Sequence, residues 1–331
     1  MTKIPYQELL RQFECALLKL DFLPAKAKAI AQIFANNSLD GVYSHGLNRF
    51  PVFIDYVKKG WIDKDAEPKL INKLGAIEQW DGQLGPGMLN AQTAMQRAIE
   101  LAKENGMGCV ALKRTNHWMR GGSYGWQAAE AGCIGINFTN TIAIMPPWGA
   151  KEPAVGNNPL IIAVPRQEGH IVLDMAMSQY SYGKMQEAEL RHQELAFFGG
   201  YDEEGNMSKD PAAIRKTQRA LPVGMWKGSG LAVMLDLLAS ILSDGQSTGD
   251  ITQSHGESNI SQVFICIDAQ LNPNYEDISN RILSYTKAAQ SIAGETIYYP
   301  GERTLQTRLQ NEKEGIPVDD GMWQKLMDLS K

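Results

Sequence analysis

The order of apolar patterns constrains this chain more than any single motif. Helical stripes occupy both ends, and short strand-like runs fill the middle. Residues 5 to 36 read as two helices. Pro5 suits a first helical turn, and Leu9, Phe13, Leu17 and Leu20 form one stripe. After Leu23-Pro24, residues Ala27, Ile30, Ile33 and Phe34 form a second stripe, with an end expected at Asn36-Asn37. The aromatic-rich run DGVYSHGLNRFPVFIDYVKKG (40–60) reads as half helical. GAIEQWDGQLGPG (75–87) reads as a strand and a glycine-rich turn. Met88, Ala91, Met95, Ala98 and Ala102 then mark a helix ended by Asn105-Gly106. Strand-like runs follow at 108–114, 134–140, 159–165, 170–176 and 262–268, with a helix at 229–243 before the last. From residue 274 the patterns are helical again. Strands must pair to satisfy their backbone groups, so this order predicts an α/β chain. It has a sheet domain at 76–270 and a helical domain made from 1–75 and 271–331.

Charge and composition exclude several classes. Of 331 residues, 32 are Lys or Arg and 37 Asp or Glu, a net charge of −5. That balance argues against nucleic acid as a partner, which needs a basic face. It leaves room for a locally basic pocket. Cys15, Cys109, Cys133 and Cys266 form no CxxC pair, so a zinc ribbon or thioredoxin chemistry is not expected. Sparse thiols suit the cytoplasm. No uninterrupted apolar run approaches the roughly 18 residues of a membrane span, and the charged N-terminal stretch does not read as a signal peptide. The histidines lack metal-ligand spacing, so no metal is expected.

Five histidines limit the candidates for proton transfer: His45, His117, His170, His192 and His255. In YSHGLNR (43–49), His45 and Arg49 are four apart and would share a helix face. A guanidinium can grip a carboxylate while an imidazolium gives a proton to the adjacent carbonyl. The alternative is a helix-end histidine with a surface arginine. RTNHWMRGGSYGWQAAE (114–130) places His117 and Arg120 between a strand and a helix whose start could face an anion. Trp118, Tyr124 and Trp126 there could shape a pocket or simply pack. MPPWGAKEPAVGNNP (145–159) is a turn-rich irregular loop. Lys227, at a helix start where a cation is unfavourable, and Arg303, in a loop, are weaker signals. His192 and His255 read as solvated. No GxGxxG dinucleotide fingerprint, phosphate loop, nucleophile elbow or HExxH is present.

Together GVYSHGLNRFP, NHWMRGGSYGWQAAE, MPPWGAKE, the DMAMS…SYG stretch, GAIEQWD and GIPVDD resemble the type-2 malate/L-lactate dehydrogenase family along nearly the whole chain. The resemblance implies a non-Rossmann, mixed-sheet NAD-binding domain, which accounts for the missing fingerprint. It implies a homodimer acting on a small-molecule 2-oxo sugar acid. His45 would be the proton donor, with Arg49 and His117 binding substrate. Cofactor contacts would fall on His170, Ile171, Val172, Leu173, Asp174, Met175 and Ala176, on Trp226 and Lys227, and on Gly301, Glu302 and Arg303, with Thr141 a further candidate. Two runs depart from the family pattern. This chain has Gly156-Asn157-Asn158-Pro159 where Gly-Thr-Asn-Pro is usual, and Gly301-Glu302-Arg303 lacks a histidine before the glutamate. Asp174 could accept from a ribose hydroxyl or cap a turn. In the first role it would repel a 2′-phosphate, so NADH is expected over NADPH.

Overall fold

The computed structural model describes residues 2–254 and 256–331. Seven strands form one mixed sheet in the order Lys69–Leu74, Ile77–Asp81, Met107–Asn116, Ser258–Asp268, Cys133–Thr139, Leu160–Val164, Ile171–Met175. Only Ile77–Asp81 and Met107–Asn116 run parallel; every other neighbouring pair is antiparallel. That pattern differs from the parallel, doubly wound sheet that carries a Rossmann fingerprint.

Period-two alternation explains how the central strands are covered on both faces. Val110, Phe264 and Cys266 face the helices Gly87–Asn105 and Gly122–Glu130. Cys109, Ala111 and Val263 face the opposite helix, Trp226–Ser243, through Ala232, Leu235 and Ala239. Trp118 and Tyr124 pack with Phe264 in the first of these cores, at ring separations of 5.7 to 5.8 Å. They are therefore core residues and shape no pocket.

The chain ends share a separate core. Phe13, Phe34, Phe50 and Phe53 cluster there with Ile316, Val318 and Leu326. Thr2–Ile4 pairs antiparallel with Ile316–Val318, so the first and last segments close on each other. The helix Tyr275–Lys287 lies apart from that cluster; Arg166 Nε donates to its Asn280 Oδ1 at 2.7 Å.

Several elements differ from expectation. The second helix runs to Leu39, past Asn36-Asn37. Asn37 and Ser38 are buried, and their side chains bond the next segment and the preceding turn, so they do not stop the helix. Strand Lys69–Leu74 was not anticipated; it is exposed along its whole length and lacks an apolar face to read. Three short helices, Tyr182–Leu190, Pro211–Thr217 and Thr248–Gln253, also escaped the apolar pattern. Each starts at a residue whose side chain accepts a first-turn N–H: Ser181, Asp210 and Ser247.

Candidate active site

The helix expected to carry His45 and Arg49 on one face does not form. Two 3-10 turns, Tyr43–His45 and Leu47–Arg49, flank Gly46. Residue 46 lies against the preceding helix, where a Cβ would sit 2.3 Å from Ser38 Oγ. Ser38 Oγ accepts from Leu47 N at 3.0 Å, and Asn37 Nδ2 donates to the His45 carbonyl at 2.9 Å. The segment is thus strapped to helix Pro24–Leu39. Close packing, rather than helical periodicity, brings the two side chains to one corner.

His117 arrives there from just beyond strand Met107–Asn116. Its ring stacks on His45, with centroids 5.6 Å apart and planes 19° from parallel. His117 Nδ1 accepts from Met119 N at 3.0 Å, so the proton of the neutral ring resides on Nε2. His45 Nδ1 pairs with Ser44 Oγ at 2.9 Å. Arg49 Nη2 donates to Glu257 Oε2 at 2.7 Å, and the same oxygen lies 4.0 Å from His117 Nε2.

Burial sets the protonation of this corner. Loss of water pushes His45 down to about 3; His117, Arg49 and Arg120 act in the same direction, and Glu257 opposes them. His117 is held well below the usual histidine range, first by burial and then by Arg49. Both rings are neutral in the free protein near neutral pH, because desolvation penalises the charged form.

An ionic cluster centred on the buried Arg120–Asp40 pair adjoins the rings. Arg120 Nη1 bonds Asp40, whose other oxygen accepts from Arg308 Nε at 2.6 Å. Arg120 Nε lies 3.6 Å from Asp174 Oδ2, which also accepts from Gly122 N at 2.9 Å. The start of helix Gly122–Glu130 therefore already faces an anion, the chain's own Asp174.

The residues assigned to the cofactor come together along the edge strand Ile171–Met175. At one end, Val172 N donates to Pro300 O at 2.9 Å, which brings in Gly301, Glu302 and Arg303. Gly301 has φ +93°, and a Cβ there would lie 3.1 Å from Val172 N. Only glycine combines that conformation with so close an approach. Glu302 Oε2 accepts from Tyr299 N at 3.0 Å, and the Arg303 guanidinium lies 4.3 Å over the Tyr298 ring. At the other end, Val223 N donates to Met177 O at 2.8 Å, leading into Trp226 and Lys227, both exposed at the start of Trp226–Ser243. His170 Nδ1 accepts from Arg166 N at 3.1 Å, and its ring meets Trp126 edge-on.

Thr141 is buried behind the far end of this strand. Its N donates to Asn158 Oδ1 and its Oγ1 to Asn157 Oδ1, each at 3.0 Å. His192 is exposed; His255 lies outside the described residues. Two surface clefts lie elsewhere, one of about 510 Å³ beside Val57 and Lys64 and one of about 750 Å³ beside Asn274 and Arg281. Neither is lined by a histidine. Among the described residues no group of three His, Cys, Asp or Glu is placed to hold a metal ion. Ser44 and Glu257 were missed from the sequence. Ser44 adjoins His45 and could have been read, whereas Glu257 sits 208 positions from Arg49 with no local signal.

A family model for malate/L-lactate dehydrogenase matches residues 4–327. The 2,3-diketo-L-gulonate reductase of Shigella boydii serotype 4 is 47% identical, covering 99% of this chain and 100% of that protein. The protein of the same name from Escherichia coli K12 is 46% identical with the same coverage. Among solved structures, sulfolactate dehydrogenase from Methanocaldococcus jannaschii superposes with a TM-score of 0.89 at 28% identity, covering 99% of this chain and 96% of that one. Malate dehydrogenase from Entamoeba histolytica reaches 0.93 at 24% identity over 99% and 97%, a likeness of fold alone. A match along almost the whole chain, in sequence and in fold, makes this protein an oxidoreductase that belongs to the malate/L-lactate dehydrogenase family.

Proposed function

We propose that this enzyme reduces 2,3-diketo-L-gulonate to 3-dehydro-L-gulonate with NADH. The observation that carries the reading is the corner itself: a guanidinium and two stacked, largely buried imidazoles within reach of one small 2-oxo acid. The names of the relatives at 46–47% identity support the substrate. Arg49 holds the carboxylate. His117 Nε2–H faces the same space and orients the substrate. His45 Nε2 delivers a proton to the ketone oxygen. Because the free ring is neutral, His45 takes up that proton from solvent as the substrate binds. An anion on Arg49 offsets the guanidinium charge and raises the affinity of His45 for a proton.

Membership of a dehydrogenase family points to a nicotinamide cofactor. Residues His170–Ala176, Trp226, Lys227 and Gly301–Arg303 would hold it; Gly301, lacking a side chain, lets its segment pack on Val172 and keeps two of these stretches together. A dihydronicotinamide held there would supply the hydride for the carbonyl carbon. Asp174 Oδ2 is engaged by Gly122 N, which leaves Oδ1 for a ribose hydroxyl and disfavours a 2′-phosphate. The preference is therefore NADH.

We also place the enzyme in the cytoplasm, in keeping with four free cysteines, and read it as a homodimer. The helix Trp226–Ser243 is long and apolar enough to cross a membrane by length and composition. One face packs on the sheet; the other exposes Trp226, Val233, Met234, Leu237, Leu238 and Ile241. A contiguous apolar face on a helix already docked to a sheet suits a second subunit. Light scattering of Ile241→Lys tests this: monomers are expected, and an intact dimer would put the interface elsewhere.

A substrate panel with NADH and NADPH, followed by loss of dihydronicotinamide absorbance, tests the activity. The panel pairs 2,3-diketo-L-gulonate with the oxo acids of malate, lactate and ureidoglycolate and with a cyclic imino acid. Faster turnover of one of these would assign the enzyme to that sister activity.

A further inference from the structure

The histidine corner contains a carboxylate that the reduction does not require. Glu257 shares one oxygen between Arg49 Nη2 at 2.7 Å and the neighbourhood of His117 Nε2 at 4.0 Å. Its side chain is 16% exposed, and its backbone N–H is held by the Tyr56 hydroxyl at 3.4 Å. Tyr56 lies on helix Phe50–Lys58, which begins immediately after Arg49. Carboxylate and guanidinium are thus fixed from the same element. A carboxylate beside an anion-binding arginine weakens that arginine for any anion, so its presence calls for a compensating role.

We propose that Glu257 sets the substrate class: it admits 2-oxo acids that carry one carboxylate and hydroxyl groups, and rejects those with a second carboxylate. This rests on the 2-oxo acid reading above. Glu257 takes a single bond from Arg49 Nη2 and leaves Nε and Nη1 to grip one substrate carboxylate. A four-carbon diacid held there has its second carboxylate only two carbons further on, within a few ångströms of Glu257. In a corner this poorly exposed to water, with Glu257 only 16% exposed, like charges at that range repel. A polyhydroxylated chain instead presents O–H donors. Glu257 Oε1, which accepts no hydrogen bond among the described residues, can receive one.

The test compares kcat/KM for 2,3-diketo-L-gulonate and for oxaloacetate with NADH, in the full-length enzyme and in Glu257→Gln and Glu257→Asp. The ratio of the two values is unaffected by loss of folded enzyme, so a purely structural role would not move it. Glu257→Gln is expected to shift the ratio toward oxaloacetate by about tenfold or more, the scale of one removed charge repulsion, mainly through KM. Glu257→Asp should retain the wild-type preference. An unchanged ratio in Glu257→Gln, with an active wild type, overturns the role of Glu257 alone. Failure of the wild type to reduce any 2-oxo acid overturns both this role and the activity beneath it.

Discussion

The histidine corner and the edge strand Ile171–Met175 are built by different means. The corner depends on four side chains, His45, Arg49, His117 and Glu257, from three distant stretches of chain. The edge strand depends on backbone: Pro300 and Val223 dock to it through main-chain hydrogen bonds, and Gly301 through having no side chain. A site built from side chains is sensitive to the identity of one functional group. A site built from backbone tolerates changed side chains and fails when the backbone is pushed away. Mutations should therefore separate chemistry from cofactor affinity.

The largest effect is expected in the corner. His45→Ala should lower kcat by about 10²–10⁴-fold, the usual worth of a positioned proton donor. NADH affinity by fluorescence titration should stay unchanged. Normal turnover in that variant would remove His45 from the mechanism. The pH dependence sharpens the same point. With its free pKa pushed down to about 3, His45 is protonated in a falling fraction of free enzyme as pH rises. In the reductive direction kcat/KM should then fall with rising pH through the neutral range. In the oxidative direction, which uses the neutral ring, it should be flat there. A flat reductive profile would break the assignment.

The next effect is expected on the strand. Gly301→Val places a branched side chain at φ +93° and 3.1 Å from Val172 N, so the helix start must move. The NADH Kd should rise by about tenfold or more, on the scale of one strained backbone site, with kcat at saturating cofactor largely kept. A loss of kcat instead would mean that strand and corner are not separable. The smallest effect is expected from Asp174→Asn. It should narrow the preference for NADH over NADPH by several-fold, since one charge near a 2′-phosphate is removed. An unaltered preference would leave Asp174 as a helix cap only.

Much of this was legible in the chain. The two cores follow from stripes such as Leu9, Phe13 and Leu17, and from alternation in VFICID, because burial selects the side of each element that must be apolar. His45, Arg49 and His117 stood out by their company of glycine, aromatic and polar residues. Strand Lys69–Leu74 was not legible, because an exposed edge leaves no apolar pattern. Trp118 and Tyr124 were misleading, since a pocket wall and a core look alike in one dimension. Glu257 was invisible, since a carboxylate in a loop is ordinary until an arginine lies 2.7 Å away.

By itself, then, the sequence determined the periodicities of the segments with an apolar face, and which residue types are available for proton transfer and carboxylate binding. These are local properties, set by side chains a few positions apart. Only the tertiary structure decided which charges meet. It stacked His45 on His117, placed Glu257 on Arg49, and turned Asp174 toward both Gly122 and Arg120. The reason is physical. Water screens charges that are distant along an unfolded chain, and they interact strongly only after folding has removed the water between them.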